Sequence, residues 1–259
     1  VTRIPLIPRE REGSARWLPS LRSPLKPAAR VFKRRAAGDT ATIRGGTMLF
    51  DCAALSPEST YKLLVSTVVP RPIAWVTTLD AEGVPNAAPY SFFNAVCGSP
   101  PVVCIGIGPK KPGLKDTGEN IRRSGEFVVN LVPEKAARAM NVTAIDFPPG
   151  VNELVEAGLT PLPSTHVAPP RIAESPVALE CRLLQLVDLA AGRAVVLGEV
   201  LAFQIDDACV LDASRCYIDT PRLGLIGRMH GAGGYVRTTD RLEMPRISLA
   251  DWQARGAAG

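Results

Sequence analysis

Residues 71–101, RPIAWVTTLDAEGVPNAAPYSFFNAVCGSPP, constrain the fold more than any other stretch of the chain. Ile73 to Leu79 is rich in β-branched and aromatic residues, which favours a strand. Asp80-Ala81-Glu82-Gly83 supplies a turn, since Asp can hydrogen-bond its own backbone and Gly can take positive φ. A second extended run, Val84 to Val96, is closed by Pro100-Pro101, so the stretch reads as an antiparallel hairpin. Its second arm interleaves Asn86, Ser91 and Asn94 with Tyr90, Phe92 and Phe93. A planar ligand with a polar rim asks for such a wall, with rings against its face and amides and hydroxyls at its edge.

Another hairpin is expected from Val177–Val187 and Ala194–Ile205, turning at Ala191-Gly192. Strands follow one another by hairpins, with no doubly wound alternation of helix and strand. The expected architecture is therefore a mainly β antiparallel barrel with a few short helices. One helix opens at Ser56-Pro57-Glu58, with Ser as N-cap and Pro at the first helical position. A second starts at Asp116-Thr117-Gly118-Glu119, where Asp and Glu have capping-box spacing, and Gly125 can close it. Shorter helices are expected over 134–141 and 151–157. The proline-rich connection 159–176 has the length of a lid or a subunit contact. Gly106-Ile107-Gly108 is not a dinucleotide fingerprint, because Pro109 and Pro112 interrupt the place where the phosphate-binding helix would open.

The formal charge of +5 is unevenly placed: residues 1–47 hold eleven Lys and Arg against three Asp and Glu, so the remainder carries more acid than base. The basic balance thus belongs to the leader and argues for neither nucleic acid nor membrane as a partner of residues 48–259. Residues 1–47 are expected to be a disordered extension. A targeting peptide and a nucleic-acid-binding arm both fit part of this segment, as does a physiological chain that begins at Met48. The six cysteines never fall as CxxC and only His166 and His230 occur, so no zinc site is expected. Reduced thiols in a cytoplasmic protein are the simpler account of the cysteines.

The blocks RPIAWVTTLDAEGVPNAAPYSFFNAV, SPP, KDTGENIRRSGEFVVNLV and GGYVRTTDRLEMPR, in this order, resemble the flavin reductase-like, FMN-binding split-barrel family. The resemblance runs from about Tyr61 to Arg246. It implies an FMN-binding split β-barrel and a flavin site, with FMN usual and FAD an alternative, shared between the subunits of a homodimer. The resemblance does not fix the substrate; the expected activity is reduction of flavin by NAD(P)H, with a separate monooxygenase as recipient of the reduced flavin. By the same resemblance Arg71, Thr77 and Thr78 join the cofactor site, and Lys115, Asp116 and Thr117 lie near the flavin phosphate. A helix start with free N–H groups, a threonine hydroxyl and lysines is chemically suited to a phosphate; an exposed, well-capped helix with solvated lysines is the plainer reading of the same residues.

Asn86 and Asn94, with the backbone N–H groups of Ala87, Ala88 and Ser91, are candidate donors to the flavin edge where charge accumulates on reduction. Phe92 and Phe93 are candidate stacking rings, although each fits a core position better than a stacking one, because alternation sends about half of such side chains inward. By the same resemblance His230, in Met229-His230-Gly231, or Tyr235 reaches the flavin or nicotinamide face, and His230 is the catalytic candidate; a loop histidine without a role is its alternative. Gln204 departs from the family, where histidine is common. Two further functions fit the sequence: a flavin-holding electron carrier that does not use NAD(P)H, and a split-barrel module that binds another ligand such as haem.

Overall fold

The computed structural model describes residues 41–44, 46–110, 113–190, 192–231 and 233–256. Residues 1–40 and 45 of the basic extension lie outside the described residues. Its last part pairs as a hairpin, β1 (Ala41–Arg44) with β2 (Thr47–Phe50), about a turn that includes Gly46 at φ +81°. Residues 1–54 and 55–259 form two separate units, and the second carries everything that follows.

Helix α1 (Pro57–Thr67) starts where expected: the Ser56 hydroxyl accepts from the Ser59 N–H at 3.1 Å. Strands β3 (Ala74–Leu79) and β4 (Pro85–Tyr90) form the first hairpin, in register from Leu79↔Pro85 to Ala74↔Tyr90. The second arm is shorter than the sequence pattern implies. It breaks at Ser91-Phe92, and β5 (Phe93–Gly98) pairs instead with β6 (Pro101–Ile107). Helix α2 (Asp116–Ser124) ends in left-handed Gly125 and leads into β7 (Glu126–Leu131). Two short helices, α3 (Ala137–Val142) and α4 (Glu153–Glu156), follow. The small pair β8 (Pro161–Leu162) and β9 (Arg171–Ile172) precedes the long hairpin β10 (Val177–Ala190) and β11 (Arg193–Ile205). Hairpins β12 (Val210–Asp212)–β13 (Tyr217–Ile218) and β14 (Ile226–Met229)–β15 (Gly234–Arg237) come before a final helix, α5 (Leu249–Gly256).

One seven-stranded antiparallel sheet has the order β4-β3-β7-β10-β11-β6-β5, so the two edge strands are consecutive in sequence. The Gly106 N–H donates to the Phe92 carbonyl at 2.7 Å, which extends the β5–β6 ladder up to the Ser91-Phe92 break that links the two edge strands of this split barrel. Period-2 alternation sorts the side chains. Ala74, Val76, Ile105, Phe127, Val129, Leu179 and Val196 fill the interior. Ile73 and Trp75 point outward into a second apolar layer with Met140 of α3 and Leu154 of α4. That layer holds the short helices over the β3–β4 face.

The connection 159–176 is tied down rather than poised as a lid. Pro170 O accepts from the Thr77 hydroxyl, Asn130 Oδ1 accepts from the Ile172 N–H at 2.9 Å, and Glu126 takes the Ala168 N–H at 2.9 Å. Fully buried Glu180 accepts from the Thr165 and His166 N–H groups at 2.9 Å and 2.6 Å. Gln204 Nε2 donates to the same carboxylate at 3.0 Å and to the Thr165 hydroxyl at 3.0 Å, so its amide belongs to this clamp.

Candidate active site

Strand β4 is a sheet edge, which leaves Asn86 free to bond outside the ladder. Its amide is a hub. Nδ2 donates to Glu153 Oε1 at 2.9 Å, while Oδ1 accepts from the Thr117 hydroxyl at 2.9 Å and lies 3.4 Å from the Thr78 hydroxyl. Asn120 Nδ2 donates to Thr78 Oγ1 at 3.0 Å, which locks the inner side. Glu153 Oε2 also takes the Ala87 N–H at 3.0 Å. That backbone donor is therefore spent within the protein and is not offered to a ligand. Burial pushes the Glu153 carboxyl up, opposed by the hydrogen bonds from Ala87 and Asn86.

Helix α2 brings Thr117 to this hub because Gly118 permits close packing. A Cβ there would lie 3.2 Å from Leu114 and 3.3 Å from Ile107. The capping box expected from sequence is not formed. Lys115 occupies the N-cap position and its side chain makes no cap hydrogen bond; Asp116 instead pairs with Lys110 at 2.6 Å. Glu119 turns back to the Leu114 N–H at 3.3 Å. The N–H groups of Asp116 and Thr117 accordingly have no acceptor among the described residues, as at any uncapped helix start. They carry the positive end of the helix dipole.

Asn86, Ala88, Lys115, Asp116 and Thr117 thus line one pocket of about 80 Å³, although they come from stretches some thirty residues apart. Its far rim is Thr143 to Phe147, held in place where Trp75 Nε1 donates to Thr143 Oγ1 at 2.9 Å. Asp146 pairs with Lys115 at 3.2 Å. Two lysines therefore face three carboxylates, those of Asp116, Asp146 and Glu153. The Tyr90 hydroxyl, in a side chain only 7% exposed, has no hydrogen-bond partner, and burial drives the phenol well above its ordinary range.

The other candidates lie elsewhere. Thr77 faces away, toward Pro170 and Asn130. Arg71, almost fully buried, donates to the Val65 and Val68 carbonyls at the end of α1 at 2.9 Å and 2.7 Å and to the His230 carbonyl at 3.1 Å, with Ser91 Oγ at 3.4 Å from its Nε. It is a structural clamp on those carbonyls, which suits a cation at a helix C-terminus. Phe92 is exposed, its ring 6.4 Å from that of Tyr61 and 6.0 Å from the Arg71 guanidinium. His230 is exposed in a positive-φ turn (φ 53°), and its ring makes no hydrogen bond among the described residues. Phe93 and Asn94 are not on the Asn86 wall. After the break at Ser91 they line a separate apolar cleft of about 760 Å³ with Ile73, Val103, Leu131 and Val200. The glycine-rich tail approaches this chain's own backbone. A Cβ at Gly227 would lie 3.3 Å from the Arg71 carbonyl, and Arg71 and Arg228 exchange backbone bonds at 3.0 Å and 2.7 Å.

Sequence reasoning missed Glu153, Asn120, Asp146 and the Tyr90 hydroxyl. Only Tyr90 carried a signal, as a tyrosine set in an otherwise apolar alternation.

The donor set fits the phosphate and polar tail of a flavin: two free N–H groups, two lysines and an orphaned phenol, beside a threonine hydroxyl that here donates to Asn86. An uncharacterized protein of Deinococcus radiodurans is 43% identical over 214 residues, covering 81% of this chain and 94% of that one. The crystal structure of nitrilotriacetate monooxygenase component B from Bacillus cereus superposes with a TM-score of 0.73 at 30% identity, over 76% of this chain and 98% of that one. The 2-nitrobenzoate 2-nitroreductase NbaA of Pseudomonas fluorescens gives 0.72 at 34% identity, over 78% and 97%. No helix among the described residues is long and apolar enough to cross a membrane. A family model described as "Flavin reductase like domain" matches residues 65–219, and the chain belongs to this flavin reductase-like family of split-barrel flavoproteins.

Proposed function

We propose that the chain is an FMN-binding NAD(P)H:flavin oxidoreductase that works as a homodimer and supplies reduced flavin to a partner monooxygenase. The observation that carries this reading is the uncapped start of α2, bonded through Thr117 to Asn86 on the edge strand. A pocket of about 80 Å³ suits a terminal phosphate and is too small for a three-ring system. The ring system would then lie along the open face of β4, where a second subunit would cover it. Bound there, the isoalloxazine would accept two electrons from a nicotinamide and hand them on. Thr117 and the first-turn N–H groups hold the phosphate, Lys115 balances its charge, and Glu153 keeps Asn86 in one orientation. The likeness to nitrilotriacetate monooxygenase component B supports a role beside a monooxygenase. The likeness to the nitroreductase, together with the apolar cleft, supports a second reading in which an organic acceptor is reduced on this chain itself.

Anaerobic mixing of the FMN-loaded protein with NADH or NADPH is expected to bleach the flavin spectrum. Protein that cannot be reconstituted with FMN, or that stays yellow with both nucleotides, would overturn the enzyme reading. Light scattering is expected to report a dimer; a monomer with full flavin content would contradict the shared site. Reoxidation by 2-nitrobenzoate without a second protein would favour the second reading.

Two sets of variants test the placement. Thr117→Val is expected to weaken FMN binding by about tenfold to a hundredfold, since a hydrogen bond to a charged group contributes about 1.5–3 kcal/mol. Lys115→Ala should weaken it by a few-fold, less at high salt, and neither should change riboflavin affinity. Asp146 is 77% exposed and competes with a phosphate for Lys115. Asp146→Asn should therefore tighten FMN binding about twofold to threefold. Fluorescence titration reads each constant, and equal losses for FMN and riboflavin would place the phosphate elsewhere.

A further inference from the structure

Among the described residues, the Tyr90 hydroxyl is the one buried side-chain polar atom without a hydrogen-bond partner. Buried polar groups are nearly always paired, and an orphaned one is costly. Tyr90 packs with the interior apolar cluster, where phenylalanine would fill almost the same volume. Packing therefore does not account for the oxygen.

The surroundings do. Tyr90 and Thr117 line the same pocket, and the phenol lies against the Thr117 hydroxyl. A threonine hydroxyl has one proton to give. Here Thr117 gives it to Asn86 Oδ1 at 2.9 Å, so it has none for a ligand. Asn86 cannot turn its amide over, because Glu153 holds Nδ2 at 2.9 Å. Its Oδ1 has a second donor within reach, the Thr78 hydroxyl at 3.4 Å. If Thr117 turned to another acceptor, Thr78 would serve Asn86, and the two lone pairs that a donating hydroxyl keeps would be re-aimed, one of them toward Tyr90. That rearrangement leaves no group unpaired.

We propose that Tyr90 is a positioning residue of the phosphate subsite: when a phosphate oxygen reaches the start of α2, the Thr117 hydroxyl turns from Asn86 to that oxygen and Tyr90 donates to Thr117. The step rests on the flavin placement proposed above. It makes the pocket selective for phosphorylated flavin, because ligand binding supplies the phenol with the partner it otherwise lacks.

The test is fluorescence titration of FMN and riboflavin against wild type, Tyr90→Phe, Thr117→Val and the double variant. Tyr90→Phe is expected to weaken FMN roughly threefold to tenfold, the worth of one buried hydrogen bond. It should leave riboflavin unchanged, and its melting temperature should equal or exceed that of wild type. In the Thr117→Val background it should have no further effect on FMN, since the path runs through that hydroxyl. A Tyr90→Phe protein that binds FMN as wild type does, or that loses FMN and riboflavin alike, overturns the role of Tyr90 alone. Wild-type protein that binds FMN no more tightly than riboflavin removes the phosphate from the site, and the proposal with it.

Discussion

Glu180→Ala is expected to cost about 3 kcal/mol of stability, because three donors that now converge on a buried carboxylate would lose their acceptor. For a domain of this size that corresponds to a fall in melting temperature of roughly 6–12 °C. Thr165, His166 and Gln204 are the donors, so the loss should appear first as faster proteolysis within residues 163–170. Burial alone would raise the Glu180 carboxyl, but the hydrogen bonds from Thr165, His166 and Gln204 outweigh it and hold the group below its ordinary value of 4.5. The stabilisation is therefore fully present above the unfolded carboxylate range and is lost as pH falls through the lower folded value. Glu180→Gln should remove that part of the acid dependence while leaving the rest of the profile in place. A melting temperature within about 2 °C of wild type for the alanine variant would mean that the loop is held by its other ties.

Gly198→Ala is expected to destabilise the barrel by about 2–3 kcal/mol through overpacking. A Cβ at that position would stand 2.3 Å from the tip of the Phe127 ring, and Phe127 is fully buried, with no open space to retreat into. A pair in direct contact should not behave additively. In a Phe127→Leu background the same substitution should cost less than half as much, by chemical denaturation of the four proteins. Equal costs in both backgrounds would show that the strain at 198 lies in the backbone and not against the ring.

Local signals in the sequence were sufficient where one residue satisfies its own neighbourhood. Ser56 before Pro57 starts α1, Asp80 to Gly83 turns the first hairpin, and Gly125 ends α2, each through bonds within a few residues. They were insufficient where tertiary competition decides. The run 84–96 keeps its alternation through Ser91-Phe92, and only the pairing of Phe93 with Ile105 reveals that the arm has changed neighbours. This is why Asn94 and Asn86, on one wall by pattern, serve different clefts. Asp116 had the spacing to cap α2, but Lys110 at 2.6 Å claims its carboxylate. The hub at Asn86 joins Thr117 and Glu153 across 31 and 67 residues, separations at which no periodicity carries information. The family likeness supplied Lys115, Asp116 and Thr117 as one group, and it also suggested Arg71, whose guanidinium the chain spends on its own carbonyls.

The ties on 159–176 bear on calorimetry. Thr77, Glu126, Asn130 and Glu180 anchor that connection without help from any ligand. Capture of a small molecule then carries no entropic penalty for folding those residues. The heat-capacity change on titration should reflect only the surface the guest and its host walls remove from water.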